Sequence, residues 1–268
     1  MARIDFFNCP RMRYTPPCEF NDPFDYALHF DSVGSDEQIH ECILRNFKAI
    51  ARNAAEARGR SLKERRFLFE MYSSEPGMSC LIKEVKNLIS NGGIDLRKFS
   101  EDFRNNVGGW MVGVLCLTEK KDNILMWSHY ASSHEGFLVG IRTDVPMFKE
   151  GLHKKYDYDV LYRVGYRADR PKSSMLEFNM ASLFTKSLCW KYEKEWRVAK
   201  SLKNVMGGDG DVVGVYRIDL ECISEVVVGA RASVETKDAV VKFCKGNGVP
   251  VRRSRVHEKE FKLVIDSF

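Results

Sequence analysis

At 268 residues, with 44% hydrophobic and 29% charged side chains, the chain has the composition of a globular protein with ample core. No apolar run approaches the roughly 20 residues that span a bilayer, and the N-terminus has no signal-peptide core, so a cytoplasmic protein without a membrane partner is expected. The net charge of +5 is mild for a dedicated nucleic-acid-binding domain, and the basic runs 58–66 and 252–255 read as solvated faces.

The eight cysteines are scattered, with no pair at the two-residue spacing of zinc ligands. Cys42, Cys116 and Cys244 lie among apolar neighbours and read as reduced core residues. Neither a structural metal nor a disulfide is expected.

After a short extended segment, residues 11–25 are rich in proline and turn formers. Asn21-Asp22-Pro23 reads as a structural turn, with a ligand-facing loop as the alternative. From Ser35 the pattern is helical. Ser35 with Gln38 makes a capping box ahead of Ile39, Cys42, Ile43, Phe47 and Ile50, and Ser61 with Glu64 makes another ahead of Phe67, Leu68 and Met71. A third helix is predicted over about Cys80–Ser90, stopped by Asn91-Gly92-Gly93, and a short one over 97–106. Residues 35–107 contain no convergent catalytic set and read as a helical lobe inserted into, and covering, the rest.

Beyond Gly108 the character changes. Strands are predicted at Val112–Leu117, Gly136–Arg142 and Val160–Arg167, and helices at 122–132 and Ser174–Trp190. Short β-rich pieces follow at Glu195–Lys200, Gly214–Asp219 and Ser224–Val228, then a helix at Glu235–Lys245 and one or two terminal strands. Many short strands with few intervening helices predict an α+β fold with a mixed, mostly antiparallel sheet, in a single domain spanning 1–268. There is no Walker pattern and no GxGxxG.

Two segments carry the chemistry: Met126–Gly136 (MWSHYASSHEG) and Trp190–Val198 (WKYEKEWRV). Both crowd aromatic rings against ionisable groups, the mixture expected of a ligand cleft rather than a dry core or a solvated face. On a helix Trp127 and Tyr130 share a face, while His129 points about 100° away from Tyr130. Trp127 reads first as a core anchor; Tyr130 is balanced between core and ligand face, and His134 reads as surface. Strand alternation would put Glu193, Glu195 and Arg197 on one face. Adjacent carboxylates raise each other's pKa unless a cation such as Arg197 intervenes. Such a ladder can grip ribose hydroxyls and stabilise positive charge at an anomeric carbon; the alternative is a charged solvent-facing strand. Lys186 and Arg13 are candidate partners for a phosphate or carboxylate.

FNDPFD (Phe20–Asp25), MWSHYA…HEGF (Met126–Phe137), W-x-YEKEWR (Trp190–Arg197) and ISEVVVG (Ile223–Gly229) resemble, in order and spacing, the bacterial family labelled domain of unknown function 2971. That family opens with an extended segment upstream of the part matching Arg3–Phe7. A more distant resemblance is to the ADP-ribosyltransferase superfamily. It implies an ADP-ribosyltransferase-like core and NAD as donor. Thr118 would stand at the end of the second core strand, and Tyr130, with Trp127 and His129 near it, would stack the nicotinamide. Glu195 would be the catalytic carboxylate and Glu193 would position the acceptor. Arg13 or Lys186 would meet the pyrophosphate beside Arg197. The implied partners are a nucleotide-type small molecule and a macromolecular acceptor, protein or nucleic acid, in the setting of a toxin or anti-phage effector. The other reading is a nucleotide-binding or interaction protein without turnover.

Overall fold

The computed structural model of the chain describes residues 4–26, 29–59, 61–103, 105, 112–145, 148, 160–177, 180–202 and 214–268. The strands are β1 (Arg11–Arg13), β2 (His29–Ser32), β3 (Val112–Thr118), β4 (Phe137–Ile141), β5 (Leu161–Arg163), β6 (Gly165–Arg167) and β7 (Lys172–Ser174). They continue with β8 (Thr185–Ser187), β9 (Glu195–Ser201), β10 (Val215–Arg217), β11 (Ile223–Val228), β12 (Val251–Val256) and β13 (Leu263–Ser267). The helices are α1 (Asp36–Arg58), α2 (Leu62–Ser73), α3 (Glu75–Ser90), α4 (Leu96–Asp102), α5 (Ile124–Tyr130) and α6 (Val234–Asn247). The mixture of helices and sheets is the expected α+β class. The chain divides into two compact units, residues 27–104 with 170–182 and residues 1–26, 105–169 and 183–268.

In the first of these units, α1 and α2 both begin at their predicted capping boxes, with the Ser35 and Ser61 hydroxyls accepting from Gln38 and Glu64 backbone N–H groups at 3.2 Å. Helix α3 starts at Glu75, ahead of the expected Cys80, because the Ser74 hydroxyl caps it and Pro76 fits its first turn. The helices close over Ala51, Tyr72 and Leu81. Strands β2 and β7 pair in parallel, and Phe30 packs edge-on against Phe99.

In the other unit a four-stranded sheet runs in the order β13-β12-β11-β4, parallel only between β11 and β12. Its faces follow from the alternation of β11. Val226 and Val228 pack with Phe243 of α6, while Val227 packs with Trp127 and Ala131 at the α5 end. A three-stranded sheet, β3-β9-β5, is antiparallel throughout. Leu115 opposite Val198 faces an apolar cluster with Tyr14, so the next pair, Cys116 opposite Arg197, faces the other way.

One expectation is corrected: Cys244 is buried, but Cys42 is half-buried and Cys116, which stands opposite Arg197 on the face of β3 turned from the apolar cluster, is exposed. A second correction concerns the helix expected at Ser174–Trp190. Residues 180–184 and 188–193 are 3-10 turns flanking β8, which pairs in parallel with β6. Pairing with a distant strand there overrides local helix propensity. The strand expected at Val160–Arg167 is interrupted at Val164, giving β5 and β6, and the segment expected to be extended before Pro10 is a 3-10 turn, Ile4–Phe7. Residues 178–179 of the expected helix, 106–107 of the expected lobe and Arg3 lie outside the described residues.

Candidate functional site

Five charged side chains meet in the unit that holds β9: Asp25, Lys186, Glu193, Glu195 and Arg197, each at most 6% exposed. Arg197 uses all five of its N–H donors. Nη1 and Nη2 donate to Asp25 Oδ1 and Oδ2 at 2.8 and 2.5 Å, Nε and Nη2 to Glu195 Oε1 and Oε2 at 2.7 and 3.1 Å, and Nη1 also to the Leu183 carbonyl at 2.8 Å. Lys186 Nζ donates to Glu193 Oε2 at 2.5 Å and Glu195 Oε2 at 3.1 Å, with Asp25 Oδ2 at 3.9 Å. Three carboxylates face two cations, so the ionised cluster carries one excess negative charge.

Three local devices assemble it. In the FNDPFD turn, Asp22 Oδ1 accepts from the Phe24 backbone at 2.9 Å and its carbonyl accepts from Asp25 N at 3.1 Å, which delivers Asp25 to Arg197. Glu193 does not lie on the predicted strand: it ends the 3-10 turn 188–193, Lys194 reverses the chain in the left-handed region at φ 49°, and β9 starts only at Glu195. Glu193 and Glu195 therefore reach Lys186 from a turn and a strand. Thr118 fixes the turn, its hydroxyl donating to the Glu193 carbonyl at 2.5 Å and accepting from Lys120 N at 3.0 Å.

The two glutamates titrate in opposite directions. Burial raises the pKa of both. At Glu195 the Arg197 charge and hydrogen bonds, then the Lys186 charge, outweigh it and hold the carboxyl down at about 2. At Glu193 burial prevails over the Lys186 contacts, the Glu195 charge adds to it, and the carboxyl is pushed up. Burial also lowers the Lys186 pKa, but Glu195 and Glu193 outweigh that and keep the ammonium protonated.

Tyr130 connects Glu193 to the surface: its hydroxyl donates to Glu193 Oε1 at 2.9 Å while the residue is 40% exposed. Burial first, then the Glu193 charge, push its phenol up. Around it lie His129, centroid 6.1 Å from Tyr130 and 6.1 Å from Trp190, and Tyr192, 6.0 Å from Trp190. Lys186 Nζ sits 4.8 Å from the centre of the Trp190 ring. The cluster thus has an aromatic rim.

Of the residues singled out from sequence, the structure brings together Glu193, Glu195, Lys186, Arg197, Tyr130 and His129. Trp127 does not join them: it is 2% exposed in the core against Val227, and its indole N–H donates to the Lys121 carbonyl at 2.8 Å. Thr118 holds backbone only, and Arg13, on β1, pairs with Glu19 at 2.5 Å. Sequence reasoning missed Asp25 and Trp190 as site residues. Both stand inside the motifs FNDPFD and W-x-YEKEWR, so the signal was there, but which side chain each turn would aim inward was not. Among the described residues no group of three His, Cys, Asp or Glu is placed to hold a metal ion, and no helix is long and apolar enough to cross a membrane.

Residues 126–198 match the family described as Protein of unknown function (DUF2971), and the match supports that family for the segment from α5 through the start of β9. Comparison with curated proteins and with solved structures gave no match.

Proposed function

We propose that the cluster and its aromatic rim form an NAD site, and that the protein is a cytoplasmic bacterial ADP-ribosyltransferase-like enzyme modifying a macromolecule in the manner of a toxin or anti-phage effector. The observation that carries this reading is the pair Glu193 and Glu195, two residues apart, sharing Lys186 and pushed to opposite protonation behaviour. Oxocarbenium character at the ribose needs a carboxylate that stays ionised, which is Glu195; a group that takes a proton from an attacking acceptor needs a higher pKa, which is Glu193. The nicotinamide of NAD is a planar cation. Half-exposed rings beside a cluster with excess negative charge suit its binding, by stacking and by field. Trp190 takes the stacking place expected of Trp127, beside Tyr130 and His129.

A second reading is favoured by one observation: the Arg197 donors are saturated by protein groups and Lys186 already meets its carboxylates. A site so fully paired internally suits nucleotide binding or protein interaction without turnover.

The test is nicotinamide release and label transfer from tagged NAD, with lysate protein and nucleic acid as acceptors. Wild type is compared with Glu195→Gln and Tyr130→Leu, and far-UV circular dichroism establishes that each variant is folded. Label transferred by wild type and lost in folded Glu195→Gln supports the transferase. An NAD-induced melting shift without nicotinamide release supports the second reading. Neither signal at millimolar NAD rejects the transferase and rejects NAD as the ligand of the cluster.

A further inference from the structure

Strand β13 is an edge of the four-stranded sheet: among the described residues it pairs with β12 alone. The bond from His257 N to the Lys262 carbonyl at 3.0 Å fixes the phase of that antiparallel ladder. Val264 and Asp266 therefore turn their backbone groups toward β12, while Leu263, Ile265 and Ser267 turn theirs outward. Natural edges are guarded by proline, lysine or a bulge. This one reads Leu-Val-Ile-Asp-Ser, its register with β12 is unbroken, and its one charge, Asp266, is held by Arg255.

A groove of about 690 Å³ runs along this edge. Leu263 and Ile265, which pack toward Trp127, line it together with Val264 and Arg255 from the opposite face of the sheet. A groove bounded by both faces lies beside the strand rather than on top of the sheet. Its other wall is the loop 119–122, fixed by Glu119 N donating to the Lys194 carbonyl at 3.2 Å and by the Lys121 carbonyl accepting from the Trp127 indole. Four cations of the lining, Lys120, Lys121, Arg255 and Lys262, face two acids, Glu119 and Asp122, and Glu119 is taken by the Trp196 indole N–H at 2.6 Å. Lys121, Arg255 and Lys262 hold Glu225, Asp266 and Glu260, but exposed pairs of this kind are weak and exchange readily for a partner's carboxylates. Lys120 is exposed and pairs with no acidic group among the described residues. His257 Nδ1 accepts from the Lys259 and Glu260 backbone at 3.3 and 3.1 Å, so the neutral ring carries its proton on Nε2, a further donor in the lining.

We propose that β13 is a docking edge for a partner protein, an extended acidic segment of which adds to the sheet as a fifth strand in this groove. The outward N–H and C=O groups of Leu263, Ile265 and Ser267 supply the ladder hydrogen bonds, which any extended backbone can accept and return. Side chains supply the selectivity. A strand laid there presents alternate residues to the two faces, so its apolar groups meet Ile265 while its carboxylates meet Lys120, Lys121 and the His257 Nε2–H. Phe261, fully exposed at the tip of the β12–β13 hairpin, adds an apolar contact at one end. The cations of the groove come from stretches far apart in sequence, which is why neither stretch reads as an interface by itself. This docking edge is independent of what the Glu193–Glu195 cluster binds.

The probe is a fluorescein-labelled hexapeptide of alternating Glu and Val, read by fluorescence anisotropy. Beside it are its Lys–Val counterpart and a Glu–Val copy N-methylated at alternate amides. Wild type should bind the acidic peptide and neither of the others. Lys120→Glu should weaken that binding about 10-fold. Ile265→Pro removes an outward N–H and no bond to β12, so it should stay folded by circular dichroism and lose the peptide. Lys120→Glu changes only an exposed side chain, and it decides the matter if Ile265→Pro does not fold. No binding at millimolar peptide, or binding indifferent to N-methylation and to Lys120→Glu, overturns the proposal. Equal binding of the Lys–Val peptide overturns it too. So does a wild-type dimer in light scattering that folded Ile265→Pro returns to monomer, since a second copy would then occupy the edge.

Discussion

Arg197 and Asp25 meet end-on across 172 positions of sequence, two guanidinium nitrogens against two carboxylate oxygens at 2.8 and 2.5 Å. Both are at most 4% exposed, so neither charge has bulk solvent to fall back on. Removing the Asp25 charge leaves Arg197 still paired with Glu195 but weakens two charge-assisted hydrogen bonds to a buried guanidinium. Asp25→Asn should therefore lower unfolding stability by about 1–3 kcal/mol. Equilibrium urea unfolding with matched m-values measures it. A loss below about 1 kcal/mol would mean that Glu195 and the Leu183 carbonyl alone satisfy Arg197.

The opposite shifts of Glu193 and Glu195 give opposite pH dependences. Glu195 titrates at about 2 when folded against an ordinary 4.5. Its stabilisation is fully present above pH 4.5 and is lost as pH falls from there toward 2. Glu193 is raised, so the sign reverses: its contribution is largest below 4.5 and diminishes as pH rises through its folded value. The stability gap between wild type and Glu195→Gln should shrink below pH 4.5, whereas the gap for Glu193→Gln should shrink above it. Urea titrations from pH 3 to 8 distinguish the two, and parallel gaps would show that the glutamates are equivalent.

The tryptophans should separate stability from binding. Trp127→Ala removes a fully packed ring and its hydrogen bond to the Lys121 carbonyl, at a cost of about 3–5 kcal/mol. Trp190 is half-exposed at the rim, so Trp190→Ala should cost about 1 kcal/mol or less in stability. It should also abolish any NAD-induced melting shift that wild type shows. A shift that survives Trp190→Ala would move the stacking surface elsewhere.

Local signals in the sequence read well where physics is local. The capping boxes at Ser35 and Ser61 mark helix starts because side chain and backbone satisfy each other within one turn. The continuous apolar run of β3 and the β-rich piece at Ser224–Val228 likewise mark strands. The segment from Ser174 to Trp190 misleads because β8 is held by pairing with β6 and by Lys186 reaching Glu193 and Glu195, contacts that no window of helix propensity contains. At the site, the density of Glu, Arg and Tyr in two short motifs points to the right place. It cannot say that Trp127 turns inward while Trp190 stays at the rim, since both flank similar polar neighbours. Nor can it say that Asp25 faces Arg197, which depends on an Asp22-capped turn far upstream.

The DUF2971 match runs from residue 126 to residue 198 and holds Lys186, Glu193, Glu195 and Arg197, but the carboxylate that completes Arg197 comes from position 25. The recognisable segment is therefore not a portable module. Grafted elsewhere or expressed alone, it would carry a guanidinium lacking its strongest partner. A chain that kept YEKEWR-like residues but lost the upstream aspartate would keep the signature without the assembled site.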